Sequence, residues 1–188
     1  VPALRAKVDG GVREYEVLAS TYVGEFREGS GTYIYDMGVN MVGVPQIELE
    51  GRAGQRIVIR TAEILYPDLP EYRERDIQGM LMVENLREAL STDVYICKDG
   101  PQTIRPRFTY HGYRYLEISG IPAPLPEERV KGVVLSSVEA LTGRFESSNP
   151  LINQLFDNIA RSHLGNFLSI PTDCPQRNER MGWGESVV

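Results

Sequence analysis

From residue 12 to residue 142 the chain is a succession of short runs broken by turns, with no stretch of helical spacing between them. This constrains the fold more than any other feature. Parallel strands need crossover connections of roughly a dozen residues or more, usually a helix, and the runs leave no room for them. Residues 12–18 mix apolar and charged positions as a half-buried strand does. Residues 32–36 end at Met37-Gly38-Val39-Asn40, a turn-rich junction. Residues 46–50 alternate, break at Gly51-Arg52-Ala53-Gly54 and resume over 55–60, which predicts a hairpin with a glycine-bearing loop. Further strands are predicted at 93–97, 113–118 and 132–136. Many short strands at near-regular spacing predict a mainly β fold, an antiparallel β-sandwich.

Two segments depart from this pattern. Residues 65–90 hold Pro67, Pro70 and a dense mixture of acids and bases, and predict a long excursion with one short helix near 83–89. Its carboxylates, Asp68, Glu71, Glu74 and Asp76, lack the fixed spacing and central glycine of a calcium loop, so a solvated charged loop is the expectation. The second departure starts at Ser147-Ser148-Asn149-Pro150. Asn149 suits an N-cap and Pro150 the first helical turn. Leu151, Leu155 and Ile159 then form an apolar stripe beside Ile152 and Phe156, and Gly165 is expected to stop the helix. Such a stripe needs cover that one sandwich and one helix do not supply, so the sequence predicts that a helical domain opens here. The domain division is 1–145 for the sandwich and 146–188 for the start of that helical unit. Val1-Pro2 and Val187-Val188 read as cut ends, with most of the helical unit expected past Val188.

The chemistry concentrates in one stretch, Pro171-Thr172-Asp173-Cys174-Pro175-Gln176-Arg177-Asn178-Glu179-Arg180-Met181-Gly182-Trp183-Gly184. Prolines and glycines keep it out of regular structure, leaving its side chains free to converge on a pocket. Asp173 and Glu179 flank Arg177, and the only tryptophan of the chain, Trp183, follows. Carboxylates supply general acid and base, a guanidinium grips hydroxyls, and an indole stacks on a pyranose face, which together suit sugar cleavage. Other readings stay open at this point: Glu179 as a surface carboxylate paired with Arg177 or Arg180, and Trp183 as a core anchor.

With 26 acidic against 20 basic residues the net charge is -6, which argues against nucleic acid or an anionic membrane as partner. A neutral or small-molecule partner fits better. Neither apolar run length nor composition calls for a membrane span. Cys97 and Cys174 make no disulfide framework and read as free thiols without a histidine partner. His111 reads as a structural hydrogen-bonding residue and His163 as a helix C-terminal one; no metal and no cofactor is called for. Tyr110, Tyr113 and Tyr115 read as sandwich packing.

A family resemblance adds to this. The ordered landmarks are Tyr35-Asp36-Met37-Gly38-Val39-Asn40-Met41-Val42-Gly43, Ala62-Glu63-Ile64-Leu65, Glu84-Asn85-Leu86-Arg87-Glu88-Ala89 and Pro106-Arg107-Phe108-Thr109-Tyr110-His111-Gly112-Tyr113-Arg114-Tyr115. They continue through Gly143-Arg144-Phe145-Glu146-Ser147-Ser148-Asn149-Pro150-Leu151 to the run from Gly165 to Arg177. This series resembles the bacterial α-L-rhamnosidases of glycoside hydrolase family 78. The resemblance implies a β-sandwich followed by the first helix of a six-hairpin (α/α)6 toroid. It implies removal of terminal α-L-rhamnose from glycosides or polysaccharides with inversion. By its motif Glu179 would be the general acid, Asp173 and Arg177 would bind rhamnose hydroxyls, and Trp183 would line the sugar pocket. The base would be a glutamate from much later in the toroid, past Val188. The motif departs from the family at Glu185, where the family has aspartate after the glycine. Two alternatives remain at this stage: a non-catalytic carbohydrate-binding or scaffold sandwich, and a six-hairpin glycosidase with another sugar preference.

Overall fold

The computed structural model describes residues 11–178 and 182. Eight strands make its body: β1 (Arg13–Ala19), β2 (Thr21–Glu25), β3 (Thr32–Gly51), β4 (Arg56–Ala62), β5 (Thr92–Ile96), β6 (Gly100–Ile104), β7 (His111–Ser119) and β8 (Val130–Ser136). Their pairings are antiparallel.

Strand β3, 20 residues long, organises the rest. Its first part pairs with β2 and β7, and its second part with β8 and β6. Strand β7 also pairs with β4, β4 with β5, and β8 with β1. One hydrogen-bonded sheet is thus folded along β3 into two layers, β2-β3-β7-β4-β5 and β1-β8-β3-β6. A single core fills the space between them: Tyr35, Ile59, Leu116 and Ile118 from the first layer meet Ile47, Leu49, Ile104 and Val134 from the second. Each such buried side chain contributes roughly 1.5–3 kcal/mol. Tyr35 is fully buried, yet its hydroxyl exchanges hydrogen bonds with the main chain of Leu125 (2.7 and 2.9 Å), and burial pushes its pKa up to about 12.

The mainly β, antiparallel sandwich expected from the strand spacing is therefore present, but its connections differ from the expectation in two places. Residues 46–50 and 55–60 are strands, yet they do not form a hairpin. Strand β3 gives residues 47–51 to β6, while β4 pairs with β5 and β7. The glycine-bearing turn between them arches from one layer to the other, because Ile47 and Leu49 must enter the core from the side opposite Ile57 and Ile59. The junction at 37–40 is likewise no end of a strand. It is a bulge inside β3: Asp36 pairs with Tyr115 and Met41 with Tyr113, so the strand carries extra residues against β7. Gly38 takes φ +77 there, a left-handed conformation that a glycine adopts without strain.

The excursion after β4 covers the outer face of the first layer, where Leu81 packs with Ile34 and Ala62, flanked by Leu65, Phe26 and Tyr115. Its helix, α1, is Pro70–Glu74, while the segment expected to be helical holds only a 3-10 turn, Glu84–Leu86. The excursion's carboxylates behave as a solvated loop: Asp68 pairs with Arg73 and Asp76 with Arg27, all exposed.

The long helix, α2, is Pro150–Asn166. The Asn149 side chain caps it, its Oδ1 accepting from the Leu151 amide at 3.0 Å. Gly165 is not its stop but part of it. A Cβ there would lie 2.8 Å from Val42 Cγ2, so the glycine serves close approach of the helix to β3. The last turn is pinned to β8, where buried Ser136 Oγ donates to the Leu164 carbonyl at 2.8 Å, one of the acceptors a helix end leaves unpaired. The predicted stripe points the other way: Leu151 is 78 % exposed and Leu155 57 %.

Candidate active site

After α2 the chain turns back along β8. The Ser137 amide donates to the Phe167 carbonyl (2.7 Å) and the Ser169 amide to Ser137 Oγ (2.6 Å). Two short strands, β9 (Phe167–Leu168) and β10 (Ile170–Pro171), pair with each other, and Thr172 forms a bridge with Gly182. Residues 172–178 are thus a loop that projects from the end of α2 over β7, with Thr172 held to Gly182.

Within it, Asp173 and Arg177 come together. Arg177 Nη2 lies 4.0 Å from Asp173 Oδ2. The Cys174 thiol stands between them, donating to Asp173 Oδ2 at 2.9 Å and accepting from Arg177 Nη2. Cys174 is buried, as is Cys97, and both are free thiols. Burial, then the hydrogen bond to Asp173, pushes the Cys174 thiol pKa up, and Arg177 acts against that shift. It is therefore a neutral bridging thiol rather than a nucleophile. The sequence placed Cys174 in a polar loop without a role; its position between two residues of opposite charge was the available signal. Glu179 and Trp183 lie outside the described residues.

The motif loop faces the landmark segments of the sandwich. A cleft of about 620 Å³ runs between them, with Asn40, Glu63 and Arg114 from the sandwich, Asp157 and Asn158 from α2, and Asp173 from the loop among its walls. The sandwich side is rigidly wired. Arg114 grips Asp36 in a two-pronged pair, Nε to Oδ1 and Nη2 to Oδ2 at 2.7 Å each. The Gly38 amide donates to the same carboxylate at 2.7 Å, which fixes the bulge. These contacts hold the Asp36 carboxyl below the usual carboxylate range, Arg114 being the main cause. Asn40 and Asn85 each donate an amide hydrogen to Glu63, at 2.9 and 3.0 Å. The bulge, the turn after β4 and the 3-10 turn are thereby tied into one frame, and Asn178 of the loop reaches Glu88 at 3.4 Å. A larger cleft of about 850 Å³ lies between β1 and α2, but none of the described residues of the motif loop lines it.

Buried His111 has its Nε2 at 2.8 Å from Oδ2 of half-buried Asp93, which accords with a structural role for this histidine. Tyr113 is fully buried in the core and Tyr115 packs on the outer face.

Amides, carboxylates and guanidinium groups line one open cleft, a lining with many hydrogen-bond donors and acceptors. Comparison with known proteins gives the particular family. Residues 26–136 match the bacterial alpha-L-rhamnosidase concanavalin-like domain, and residues 140–187 match the bacterial alpha-L-rhamnosidase 6 hairpin glycosidase domain. The chain is 45% identical over 159 residues to an alpha-L-rhamnosidase of Formosa agariphila, covering 82% of the chain and 16% of that relative. Among solved structures, that of the Streptomyces avermitilis alpha-L-rhamnosidase complexed with L-rhamnose is 40% identical with a TM-score of 0.83, covering 95% of the chain and 16% of that protein. The alpha-L-rhamnosidase of Dictyoglumus thermophilum is 41% identical with a TM-score of 0.82, covering 92% of the chain and 18% of that protein. The chain belongs to the bacterial alpha-L-rhamnosidase family. It spans about 16% of the length of the curated relatives it matches.

Proposed function

We propose that this chain is the β-sandwich, residues 1–145, and the opening of the six-hairpin catalytic unit, residues 146–188, of an enzyme that removes terminal α-L-rhamnose from glycosides or polysaccharides. One observation carries the reading. Asp173 and Arg177 are drawn together through Cys174 on a loop that faces a polar cleft. In this reading Asp173 accepts from rhamnose hydroxyls and Arg177 donates to them. Glu179 protonates the departing glycosidic oxygen, Trp183 lines the sugar ring, and a glutamate elsewhere in the enzyme activates water from the opposite face. Inversion requires the acid and base to stand about 6.5–9.5 Å apart, with that water between them. No cofactor enters the reaction.

Leaving-group dependence tests the assignment in the intact protein. Glu179→Gln keeps the shape of the side chain and removes the proton the departing oxygen needs. The loss should be roughly 10²–10⁴-fold on an alkyl or sugar rhamnoside, the worth of general acid catalysis. It should shrink on a nitrophenyl rhamnoside, whose leaving group departs unaided. Asp173→Asn should weaken both substrates alike, because a hydroxyl contact is indifferent to the leaving group. Equal losses for Glu179→Gln on both substrates would show that the roles are wrongly assigned.

A further inference from the structure

The motif loop and the end of α2 come down on the same two residues of the sandwich. Val42 of β3 and Gly112 of β7 are cross-strand partners. Gly165 of α2 lies over Val42, and Gln176 of the loop lies over Gly112. The second contact is the more intimate. A Cβ on Gly112 would stand 2.9 Å from Gln176 Cβ, 3.0 Å from its amide nitrogen and 3.2 Å from its Cα, so main chain as well as side chain rests on the glycine. Gln176 falls between Cys174 and Arg177 in the loop, and any displacement of its backbone is passed to both.

We propose that Gly112 is a positioning residue for the reaction. The sandwich acts as the seat of the catalytic loop, and through Gln176 it sets the height of the Asp173–Cys174–Arg177 cluster and of the chain leading to Glu179. This rests on the proposed glycosidase function for its catalytic consequence, though not for the seat itself. Carbon atoms in ordinary contact are about 3.5–4.0 Å apart. An alanine at 112 therefore pushes the loop outward by roughly 0.5–1 Å. Misplacement of a catalytic group by about 1 Å costs on the order of 10²-fold.

The experiment uses the intact protein with Gly112→Ala and Gln176→Gly, singly and combined, and reads three things. Maleimide labelling followed by peptide mass spectrometry compares Cys174, 5 % exposed, with Cys97, 4 % exposed in the sandwich core. Gly112→Ala should raise the Cys174 labelling rate at least about tenfold with Cys97 silent, since lifting the loop uncovers only the thiol it carries. In steady state, kcat should fall about 10–100-fold, more on an alkyl rhamnoside than on a nitrophenyl rhamnoside, because a displaced acid hurts the poor leaving group most. Adding Gln176→Gly, which removes the opposing Cβ, should restore part of both effects, whereas Gln176→Ala, which keeps it, should not. If Gly112→Ala opens the sandwich and labels both cysteines, Gln176→Gly alone decides, since it withdraws the contact from the loop side with β7 untouched. Cys174 remaining as silent as Cys97 in both single variants overturns the seat. So does a loss of activity equal for the two leaving groups with Cys174 still protected. A wild-type protein that does not cleave rhamnosides refutes the proposed function alone, and the labelling still decides the seat.

Discussion

Replacing Asp36 by asparagine tests whether charge, rather than shape, holds the β3 bulge in place. The Asp36 carboxylate accepts three hydrogen bonds at 2.7 Å, two from Arg114 and one from the Gly38 amide. Oδ1 accepts from both the Gly38 amide and Arg114 Nε, so an asparagine oxygen there keeps these two bonds without the charge, while the NH2 group faces Arg114 Nη2 and that bond is lost. A hydrogen bond to a charged group is worth about 1.5–3 kcal/mol, and two such bonds set a ceiling of roughly 3–6 kcal/mol. The pair is not sealed from water: the side chains of Asp36 and Arg114 are 20% and 39% exposed, so most of that ceiling is lost to screening and solvation. About 2 kcal/mol at neutral pH is the expected cost, large enough to measure against a stability of roughly 5–15 kcal/mol.

The pH dependence separates this from ordinary packing loss. The folded protein holds the Asp36 carboxyl below its ordinary value, chiefly through Arg114. A depressed carboxylate pKa contributes stability that is fully present above the unfolded value, about 3.9, and is lost as pH falls through the folded value. The gap between wild type and Asp36→Asn should thus be full from pH 7 to about pH 5 and close progressively at more acid pH. Urea titrations of both proteins from pH 7 to pH 3 give the comparison. A gap that stays constant down to pH 3 would refute the argument, since asparagine would then be costing packing and not charge.

Glu117 should behave in the opposite sense in the same titrations. Burial raises its pKa despite Arg60 at 3.4 Å, so the folded state favours the neutral acid more than the unfolded chain does. Wild-type stability should therefore fall as pH rises from about 4.3 through the folded value, and Glu117→Gln should gain on it over that window. A gap independent of pH would sink this. Residues 1–188 expressed alone should show no turnover of an aryl rhamnoside and should self-associate through the exposed Leu151 and Leu155. Sedimentation of the Leu151→Lys/Leu155→Lys variant should then show a monomer, and an unchanged association would place the contact elsewhere.

The fold was legible where burial is local and illegible where it depends on distant partners. Alternation over residues 46–50 and 55–60 marked two strands correctly, because Leu49, Ile57 and Ile59 each show one face to the core. Their partners were not legible. A turn carrying Gly51 and Gly54 serves a hairpin or an arch between layers equally well, and the choice fell to β6, β5 and β7, which lie far along the chain. Strands β2 and β6 escaped notice because Gly24 and Pro101 interrupt their patterns. Gly165 was misread for a related reason. A glycine after an apolar stripe resembles a helix stop, and only the presence of Val42 at 2.8 Å from its would-be Cβ shows that it serves packing.

The site divides along the same line. Asp173 and Arg177 were legible as members of one short motif, four positions apart, and the structure brings them to 4.0 Å. What holds them could not be read, because it is supplied by segments remote in sequence. The bulge is fixed by Asp36 and Arg114, Glu63 is clasped by Asn40 and Asn85, and Gly112 lies under Gln176. Each of these residues falls in a landmark segment, and the local reading gave none of them a contact to another. Their shared property is that they stabilise little core of their own yet connect three elements to one cleft. A polar frame of this kind gives geometric precision at modest net stability, since its hydrogen bonds replace bonds to water. Loss of a frame residue should therefore appear in the chemistry of the loop before it appears as unfolding, whereas loss of a core residue such as Ile47 or Leu116 should appear as unfolding first.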